Sequence, residues 1–566
     1  MILLPQEHAK LVYQAIVAAQ VSQQLPPFDI PEISIEPTKK IEFGDYSSSI
    51  AMKLAKIANM KPADIAQIIV AHLPAADFVA SVELAGAFIN FRLNESWLKQ
   101  QVNTIIQEGE QVFALSIGSG KRAQVEFVSA NPTGPLHIGR SRGAIVGDAM
   151  ARVLEAVGYE VEREYYFNNA GVQMQNLGQS LHTRYREQLG QEPMYPLEYK
   201  GDYLITFAQQ IVAQHGDGWL HEDWTTFKEY AEQAMFKMIR DTLHRVDIRH
   251  DTFFNENSLF DSGEIEAVID KLKASGDLYQ ASVWEGAAPE EIEKEKDNAP
   301  AWWFRSTRYG DDKDRVLLKA DGNATYTLPD FAYHMNKLER GFDVLVNVLG
   351  ADHGAQYKVV QNGVEALGGD PSKIHVIIVQ MVRMMKEGKE VKLSTRRGDY
   401  VTLDDLMDLT SVDAVRYMLL ARHANSHLDF DLDRAVARNN DNPVYYIQNA
   451  HVRCAGIFRE AKVREIPEHE DANLELLTQA ELRFLRKAME LGNVLMDATY
   501  NYEPHRVAFF AHELSSVFHP IYDEVRVLHS EIPTDLAQAR LRFYRAAQII
   551  LKRLLLLMGM SAPETM

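Results

Sequence analysis

The sequence predicts a multidomain protein organised around an α/β domain with a parallel, doubly wound sheet. Two stretches carry this prediction, because residues 124–167 and residues 342–379 each show the pattern strand, turn, helix, strand. A small α+β domain precedes them and an all-helical domain follows. At 566 residues the chain is too long for a single hydrophobic core, so several domains are expected.

The first βαβ unit opens with alternating side chains over residues 124–129, which is typical of a strand. A turn rich in Pro and Gly follows it. Apolar residues then recur at helical spacing from Arg140 to Val157, and Gly158 is placed as the C′ residue that ends the helix. Residues 161–167 are the second strand. A helix N-terminus at the carboxyl end of a parallel strand is a ready anion site, because unpaired N–H groups and the helix dipole face the ligand.

The second unit begins at residues 342–349, a nearly continuous apolar run of the kind buried on both faces of a parallel sheet. A helix over residues 357–367 and a strand over residues 374–379 complete it. Both units present polar groups at the carboxyl ends of their first strands. The expected site therefore lies in the crevice between the two halves of the sheet.

The flanking regions have simpler patterns, and the expected domains are residues 1–115, 116–403 and 404–566. The first should contain helices at 6–20, 47–57, 63–73 and 95–111 and strands at 78–84 and 88–93. Helical insertions are expected in the α/β domain at about 170–250 and 260–320, with an exposed loop or short helix at 286–298. From Asp404 onward the pattern is almost wholly helical.

Composition restricts the possible functions. The hydrophobic fraction of 46% and charged fraction of 24% are ordinary for a globular protein. There is neither an apolar run of about 18 residues nor a cationic leader, so no membrane partner is expected, and the single Cys454 predicts a reducing, cytoplasmic setting. The net charge of −20 argues against nonspecific coating of nucleic acid, but a specific RNA can be held by local basic patches.

Three motifs point to chemistry, and each has a plainer alternative. His137-Ile-Gly139 opens a helix and places an imidazole and bare backbone N–H groups where nucleotide phosphates would bind, although His137 alone could be a packing histidine. The segment 386–398 could deliver Lys392 to a departing pyrophosphate or could be a solvated charge run. Asp330 could bind a cationic ligand or could be the N-cap of a helix over 331–339.

Longer strings resemble a known family. Glu126 to Arg140 and Lys392-Leu-Ser-Thr395 resemble the two signature sequences of class I aminoacyl-tRNA synthetases. Five further strings are similar to those of arginyl-tRNA synthetases, namely residues 167–173, 305–316, 325–334, 442–451 and 561–566. The resemblance runs through nearly the whole chain. It implies a Rossmann-like class I catalytic domain between an N-terminal tRNA-contacting domain and a helical anticodon-binding domain.

The resemblance implies that the protein condenses ATP and L-arginine to arginyl adenylate and moves the arginyl group to the 3′ end of tRNA(Arg). Glu126, Ser129 and Asn131 would hold the amino acid group. Tyr326 and Asp330 would receive the guanidinium. This fits the chemistry, because a carboxylate accepts paired hydrogen bonds from a planar guanidinium and not from an ammonium.

The resemblance also assigns an ATP site. His137 and Gly139 would bind the phosphates, with Arg140 beside them, and Lys392 would stabilise the pyrophosphate. The candidates for the adenosine side are Gly350, Asp352 and His353, of which His353 could instead be a strand-end capping residue. Mg²⁺ is expected to arrive with ATP, since the sequence contains no recognisable protein site for a metal. A monomer is expected.

Several positions depart from the family pattern. Arg140 stands where the class signature has His, Leu393 and Thr395 alter the second signature, and Asn169 stands where Asp is common. These changes keep open a non-catalytic tRNA-binding paralogue. A small-molecule adenylyl or cytidylyl transferase is the other alternative, against which the long helical C-terminal region argues. Basic residues expected to contact RNA are Arg453, Arg459, Arg540, Arg542, Arg545, Lys552 and Arg553, with a solvated helix face as the alternative.

Overall fold

The first part of the chain is a small α+β unit. The computed structural model of the protein describes residues 2–38, 40–295, 298–354, 356–391 and 401–566. The first elements are α1 (Leu4–Val21), β1 (Ile35–Pro37), β2 (Tyr46–Ser48), α2 (Ile50–Ala58), α3 (Pro62–Ala71), β3 (Val79–Ala85), β4 (Phe88–Leu93) and α4 (Glu95–Glu108). The four strands form an antiparallel sheet in the order β1-β2-β4-β3. Residues 47–48, predicted as helix, belong to β2 because they pair with β4.

The central part is the predicted α/β domain. Its elements are β5 (Arg122–Glu126), α5 (Ile138–Ala156), β6 (Glu160–Phe167), α6 (Gly171–Gln188), α7 (Asp202–His215), α8 (Trp224–Arg245), β7 (Thr252–Asn255), α9 (Asn257–Asp261), α10 (Glu264–Ala274), β8 (Leu278–Ala281), α11 (Pro289–Glu295), β9 (Ala301–Phe304), β10 (Arg315–Leu318), α12 (Thr327–Glu339), β11 (Val344–Gly350), α13 (Tyr357–Ala366), β12 (Ile374–Val379), β13 (Val382–Lys386) and β14 (Lys389–Glu390). The main sheet has the order β12-β11-β5-β6-β7, and every neighbouring pair in it is parallel. The doubly wound sheet is confirmed.

The insertions differ from each other in structure. The first contains α6, α7 and α8, as the helical pattern predicted. The second contains short helices but also the antiparallel sheet β10-β9-β8, so it is mixed rather than helical. Its strands are four residues long, too short for a periodicity of two to stand out against neighbouring helical segments.

The C-terminal part is mostly helical. Its elements are α14 (Leu403–Leu409), α15 (Val412–Leu420), β15 (Leu428–Asp431), α16 (Leu432–Val436), α17 (Pro443–Val463), α18 (Gln479–Ala488), α19 (Leu491–Tyr500), α20 (His505–Glu524) and α21 (Thr534–Leu557). The strand β15 was not predicted, and it pairs in parallel with β13 of the preceding domain. Short 3-10 turns lie at Ile41–Phe43, Gly109–Gln111, Ser306–Tyr309, Ala351–His353, Pro371–Lys373 and Leu474–Leu476.

Buried arginines join α5 to the C-terminal helices. Arg142 is fully buried and donates to the backbone carbonyls of His423 and Ser426 at 3.0 and 2.6 Å. Arg416 is also fully buried, pairs with Asp148 on α5, and donates through Nε to the carbonyl of Met558 at 2.7 Å. Because buried guanidinium groups need these partners, the position of α5 depends on both domains. In the described parts of the chain, no helix is long and apolar enough to span a membrane.

Helix α5 packs closely on the sheet at Gly147. A Cβ added to Gly147 would lie 2.3 Å from Cγ of Phe127, whereas one added to Gly143 on the same helix would lie 3.8 Å from Cγ1 of Val348. We expect Gly147→Ala to destabilise the α/β domain by about 1–3 kcal/mol through overpacking. Gly143→Ala is the matched control and should be neutral or stabilising by up to about 1 kcal/mol. Urea denaturation followed by circular dichroism measures both, and equal midpoints would contradict the packing argument.

Candidate functional site

The parallel sheet brings several polar strand ends to one edge. Glu126 is the last residue of β5 and lies opposite Asn347 of β11 on one side and Glu164 of β6 on the other. Glu256 follows β7 directly, and its backbone N–H donates to the carbonyl of Phe167 at the end of β6. The expected crevice therefore has side chains from four neighbouring strands around it.

The backbone turns sharply after β5. The sequence predicted a strand to Ser129, but β5 ends at Glu126, and Val128 and Ser129 have φ of 71° and 41°. Positive φ is unfavourable for a β-branched residue such as Val128, and strain of this kind is concentrated at functional sites. The turn brings the Ser129 hydroxyl back to donate to Oε1 of Glu126 at 2.8 Å. It thereby fixes one oxygen of the carboxylate.

A buried lysine fixes the other oxygen. Lys337 of α12 has no exposed surface, and its Nζ lies 2.6 Å from Oε2 of Glu126. The same ammonium donates to Oδ1 of Asn347 at 2.7 Å and lies 4.1 Å from the centre of the Tyr333 ring. The sequence analysis missed Lys337. Its spacing from Asp330, with His334 between, at i, i+4 and i+7 on one helix face was the available signal.

Asp330 lies inside α12 rather than at its cap. The helix begins at Thr327 with Tyr326 as the N-cap residue, so the N-cap interpretation of Asp330 is wrong. Burial, followed by the charges of Glu126 and Glu256, raises the pKa of Asp330 to about 8, although Lys337 opposes the shift. At neutral pH, with no cation beside it, this carboxyl would therefore hold a proton.

Glu256 is a third carboxylate of the site that the sequence analysis did not identify. It accepts hydrogen bonds of 2.6 Å from the Tyr166 hydroxyl and from Nδ2 of Asn168. No spacing in the sequence links it to the motifs, because β7 reaches the sheet only after the helical insertion. With Glu126, Asp330 and Lys337 it forms what we call the acidic pocket, whose ionisable groups are three carboxyls and one amine.

Two predicted residues lie at the margin of the acidic pocket. Tyr326 is 84% exposed, so its ring does not lie with Asp330 in this structure. Asn131 bridges two elements, because its Nδ2 donates to Oε1 of Gln173 at 2.9 Å and its Oδ1 accepts from the backbone N–H of Asn168 at 3.0 Å. Asn131 thus holds the turn after β5 against the loop after β6.

The start of α5 has the geometry of an anion site. His137 is the N-cap residue, and its Nδ1 accepts from the backbone N–H of Gly139 at 3.1 Å. A Cβ on Gly139 would lie 2.9 Å from Cε1 of that ring, so only glycine permits this position of the imidazole. Burial of the ring, and then the charge of exposed Arg140, lowers the pKa of His137. The helix dipole and the charge of Arg140 favour a bound polyanion here. The backbone N–H groups of Ile138 and Gly139 are not bare as the sequence predicted, because they donate to the carbonyl of Val401 and to the His137 ring.

Residues 401–403, which follow the second signature string in the sequence, contact the first signature string. Lys392, Leu393 and Thr395 lie outside the described residues. The chain beyond them pairs with the first signature: the N–H of Ile138 donates to the carbonyl of Val401 at 3.0 Å. The N–H of Leu403 donates back to the carbonyl of Leu136 at 2.8 Å.

The remaining predicted residues lie at the end of β11. Gly350 ends that strand, and a Cβ on it would lie 2.6 Å from Oδ1 of Asp352. The Asp352 carboxylate lies 3.5 Å from Nε2 of His353, and both side chains are exposed, at 81% and 47%. They are therefore open to a ligand at the carboxyl edge of the sheet.

Asn169 has a structural reason to be an amide. Its Nδ2 donates to Oε1 of Glu232 at 2.8 Å, and its Oδ1 accepts from Nδ2 of Asn257 at 2.6 Å. An aspartate here would face the Glu232 carboxylate with a like charge. The amide serves as donor and acceptor at once, so this departure from the family pattern is accommodated locally.

Basic residues of the last helix do not form the expected exposed face. Arg540 and Arg542 are only 9% and 8% exposed, and they pair with Glu481 at 3.0 Å and Glu468 at 3.2 Å. Further partners within the chain are Glu468 for Arg545, Glu110 for Lys552, Asp523 for Arg453 and the carbonyl of Glu564 for Arg459. Arg553 is half-buried, and its burial lowers its pKa. Helical spacing could not reveal these partners, which come from other elements.

Comparisons with known proteins agree along the whole chain. Residues 8–93 match the arginyl tRNA synthetase N terminal domain, residues 101–437 the catalytic domain of class I (R) tRNA synthetases, and residues 447–566 the DALR anticodon binding domain. The chain is 40% identical over 547 residues to the arginine--tRNA ligase of Geobacillus thermodenitrificans, covering 95% of each. It is 41% identical over 547 residues to that of Citrifermentans bemidjiense, covering 95% of this chain and 96% of the relative.

A solved structure has the same fold. The arginyl-tRNA synthetase of Thermus thermophilus superposes with a TM-score of 0.76 at 19% sequence identity, and the match covers 100% of both chains. This likeness concerns the fold alone. Together with the family matches, which cover most of the sequence, it supports one conclusion: the chain belongs to the arginyl-tRNA synthetases of class I.

Proposed function

We propose that this protein activates L-arginine with ATP and transfers the arginyl group to tRNA(Arg), releasing AMP and pyrophosphate. The observation that carries the proposal is the acidic pocket at the carboxyl edge of the sheet, beside a helix N-terminus suited to phosphate. A cationic amino acid and a polyanionic nucleotide would meet there. The family to which the chain belongs supports the same reaction.

Arginine would lie along the pocket with its two cationic ends on different carboxylates. Its ammonium would meet Glu126, held by Ser129, with Asn131 at the margin. Its guanidinium would meet Asp330, which loses its proton to accept paired hydrogen bonds. Tyr326 is proposed for the same end, and its exposed ring would have to turn inward.

ATP would bind across the start of α5. His137 would contact the phosphates through Nε2 of its ring, Gly139 would leave room for that ring, and Arg140 would add charge there. Lys392 is proposed to stabilise the pyrophosphate, while Gly350, Asp352 and His353 would line the adenosine side, with Mg²⁺ carried by the nucleotide. The attacking group is a carboxylate that is already ionised, so positioning and charge stabilisation suffice and no general base is needed.

A non-catalytic tRNA-binding role is the less supported alternative. It depended on Arg140 and Asn169, and Asn169 has a local structural reason. A charged guanidinium at a phosphate site binds more strongly than a neutral ring, so Arg140 is compatible with catalysis. A monomer and a cytoplasmic setting are proposed as well, and the only cysteine of the sequence, Cys454, is buried.

Asp330→Asn tests the function and the guanidinium site together. We expect the variant to lose arginine affinity by about 10²–10⁴-fold, because breaking one buried charged contact costs about 3–5 kcal/mol. Charging of tRNA(Arg) with labelled arginine and ATP measures the loss. Asp321→Asn, at an exposed loop carboxylate of the same domain, is the control and should charge normally. Unchanged arginine KM in the Asp330 variant would reject the assignment, and no charging by the unaltered protein would reject the function.

Arginine affinity should depend on pH in a defined direction. Asp330 is protonated below about pH 8 in the empty site, and the guanidinium needs the ionised form. Affinity should therefore fall about tenfold for each pH unit below that value and level off above it. Calorimetric titration with L-arginine between pH 6.5 and 9 gives the profile. Asp330→Asn should remove the slope, and a flat profile in the unaltered protein would contradict the prediction.

Gly139→Ala should damage the nucleotide side only. The new methyl group would lie 2.9 Å from the His137 ring and displace it, so we expect KM for ATP to rise at least about tenfold, the effect of losing about 1.4 kcal/mol of binding. Arginine affinity should stay unchanged. Gly143→Ala, four residues further along α5, is the control for altered helix propensity. Equal effects of the two substitutions on KM for ATP would disprove the proposed contact.

A further inference from the structure

None of the sequence motifs includes Lys337, although its charged side chain is fully buried. It has 0% exposure, although lysine is among the residues least often fully buried. Its ammonium lies 2.6 Å from the Glu126 carboxylate and donates to Oδ1 of Asn347 at 2.7 Å. These two residues lie opposite each other on the neighbouring strands β5 and β11. Desolvating both charges of such a pair is costly, so its presence requires an explanation.

Fold stabilisation alone does not explain this pair. Well-packed apolar residues of similar volume are often as stable as a buried ion pair or more so. Lys337 lies at the carboxyl edge, where Glu126 also binds the Ser129 hydroxyl and where Asp330 and Glu256 face the same space. A charge at this position acts on every carboxylate around it, because electrostatic interactions are strong in a buried site.

We propose that Lys337 is a positioning residue that sets the charge of the amino-acid site to match arginine, an inference that rests on the proposed function. It holds Glu126 and Asn347 in place, and its ammonium compensates one of the three carboxylates. With all groups ionised, three negative charges and one positive charge leave the pocket at −2. The ammonium and guanidinium of arginine together carry +2.

The match also separates arginine from neutral analogues. L-citrulline has the length of arginine, but a urea replaces the guanidinium, so it would leave one carboxylate uncompensated. Without Lys337 the fully ionised pocket would carry −3, so bound arginine would also leave one carboxylate uncompensated. A buried surplus of negative charge is relieved by proton uptake, and Asp330 is the group placed to take up that proton.

The other titratable groups around Lys337 have hydrogen-bond partners of their own or have pKa values shifted by burial. His334 on α12 is kept neutral, because burial and Lys337 lower its pKa to about 3. Glu164 of β6 is held by Arg340 at 2.6 Å and accepts from the Tyr333 hydroxyl. Burial also raises the pKa values of the tyrosines that face the pocket, which are Tyr166, Tyr333 and Tyr357. Glu256 is bonded by Tyr166 and Asn168.

The experiment compares Lys337→Gln with the double variant Glu126→Gln/Lys337→Gln, in the full chain. L-arginine and L-citrulline are titrated by calorimetry between pH 6.5 and 9, and circular dichroism checks the fold. At pH 6.5 Lys337→Gln should bind arginine at least about tenfold more weakly than the unaltered protein, since each unit of added pKa costs one factor of ten. The deficit should shrink toward pH 9.

The double variant removes both charges of the pair and keeps the charge of the pocket near −2. Its arginine affinity should therefore begin to fall at nearly the same pH as that of the unaltered protein. It also avoids an uncompensated buried Glu126 if the single variant folds poorly. Citrulline binding should show no comparable slope in any of the three proteins. Parallel profiles of Lys337→Gln and the unaltered protein would overturn the inference while the function stands. Failure of the unaltered protein to bind arginine at any pH would instead overturn the proposed function.

Discussion

The ion pair of Glu126 and Lys337 connects the two halves of the central sheet at the site. Glu126 ends β5, in the first half, and Lys337 belongs to α12, the crossover that leads into β11. Asn347 of β11 accepts from the same ammonium, so this one group links α12 to side chains of both β5 and β11. Because the register of β5 and β11 places Asn347 opposite Glu126, the pair forms only when the parallel sheet is correctly assembled.

Helix α5 connects the proposed nucleotide-binding end of the site to the C-terminal part of the chain. Its first turn carries His137 and Gly139, while Arg142 and Asp148 further along are buried against the C-terminal part of the chain. The strand-like contact of Ile138 with residue 401 adds a third connection. The first turn of α5 therefore cannot shift relative to the sheet without disturbing buried guanidinium groups, whose loss of partners in an apolar interior would be costly.

The sequence correctly predicted those helices and strands whose apolar pattern extends over many consecutive residues. The strand β11 and the helix α5 were identified because apolar runs and a 3.6-residue period depend only on neighbouring positions. Lys337 was missed because its partner Glu126 lies 211 residues away, and Glu256 because a helical insertion precedes β7. Arg540 was misjudged for the same reason, since Glu481 lies 59 residues from it.

The two ends of the site carry charges of opposite sign, although the net charge of the protein is −20. The acidic pocket would attract a cation, whereas Arg140 adds positive charge to a helix N-terminus, a position where cations are unfavourable to the helix itself. That cost is recovered only when an anion binds. With arginine and ATP bound as proposed, Arg140 would strengthen the phosphate site, and the separation of charge along the edge would orient the amino acid carboxylate toward the phosphates.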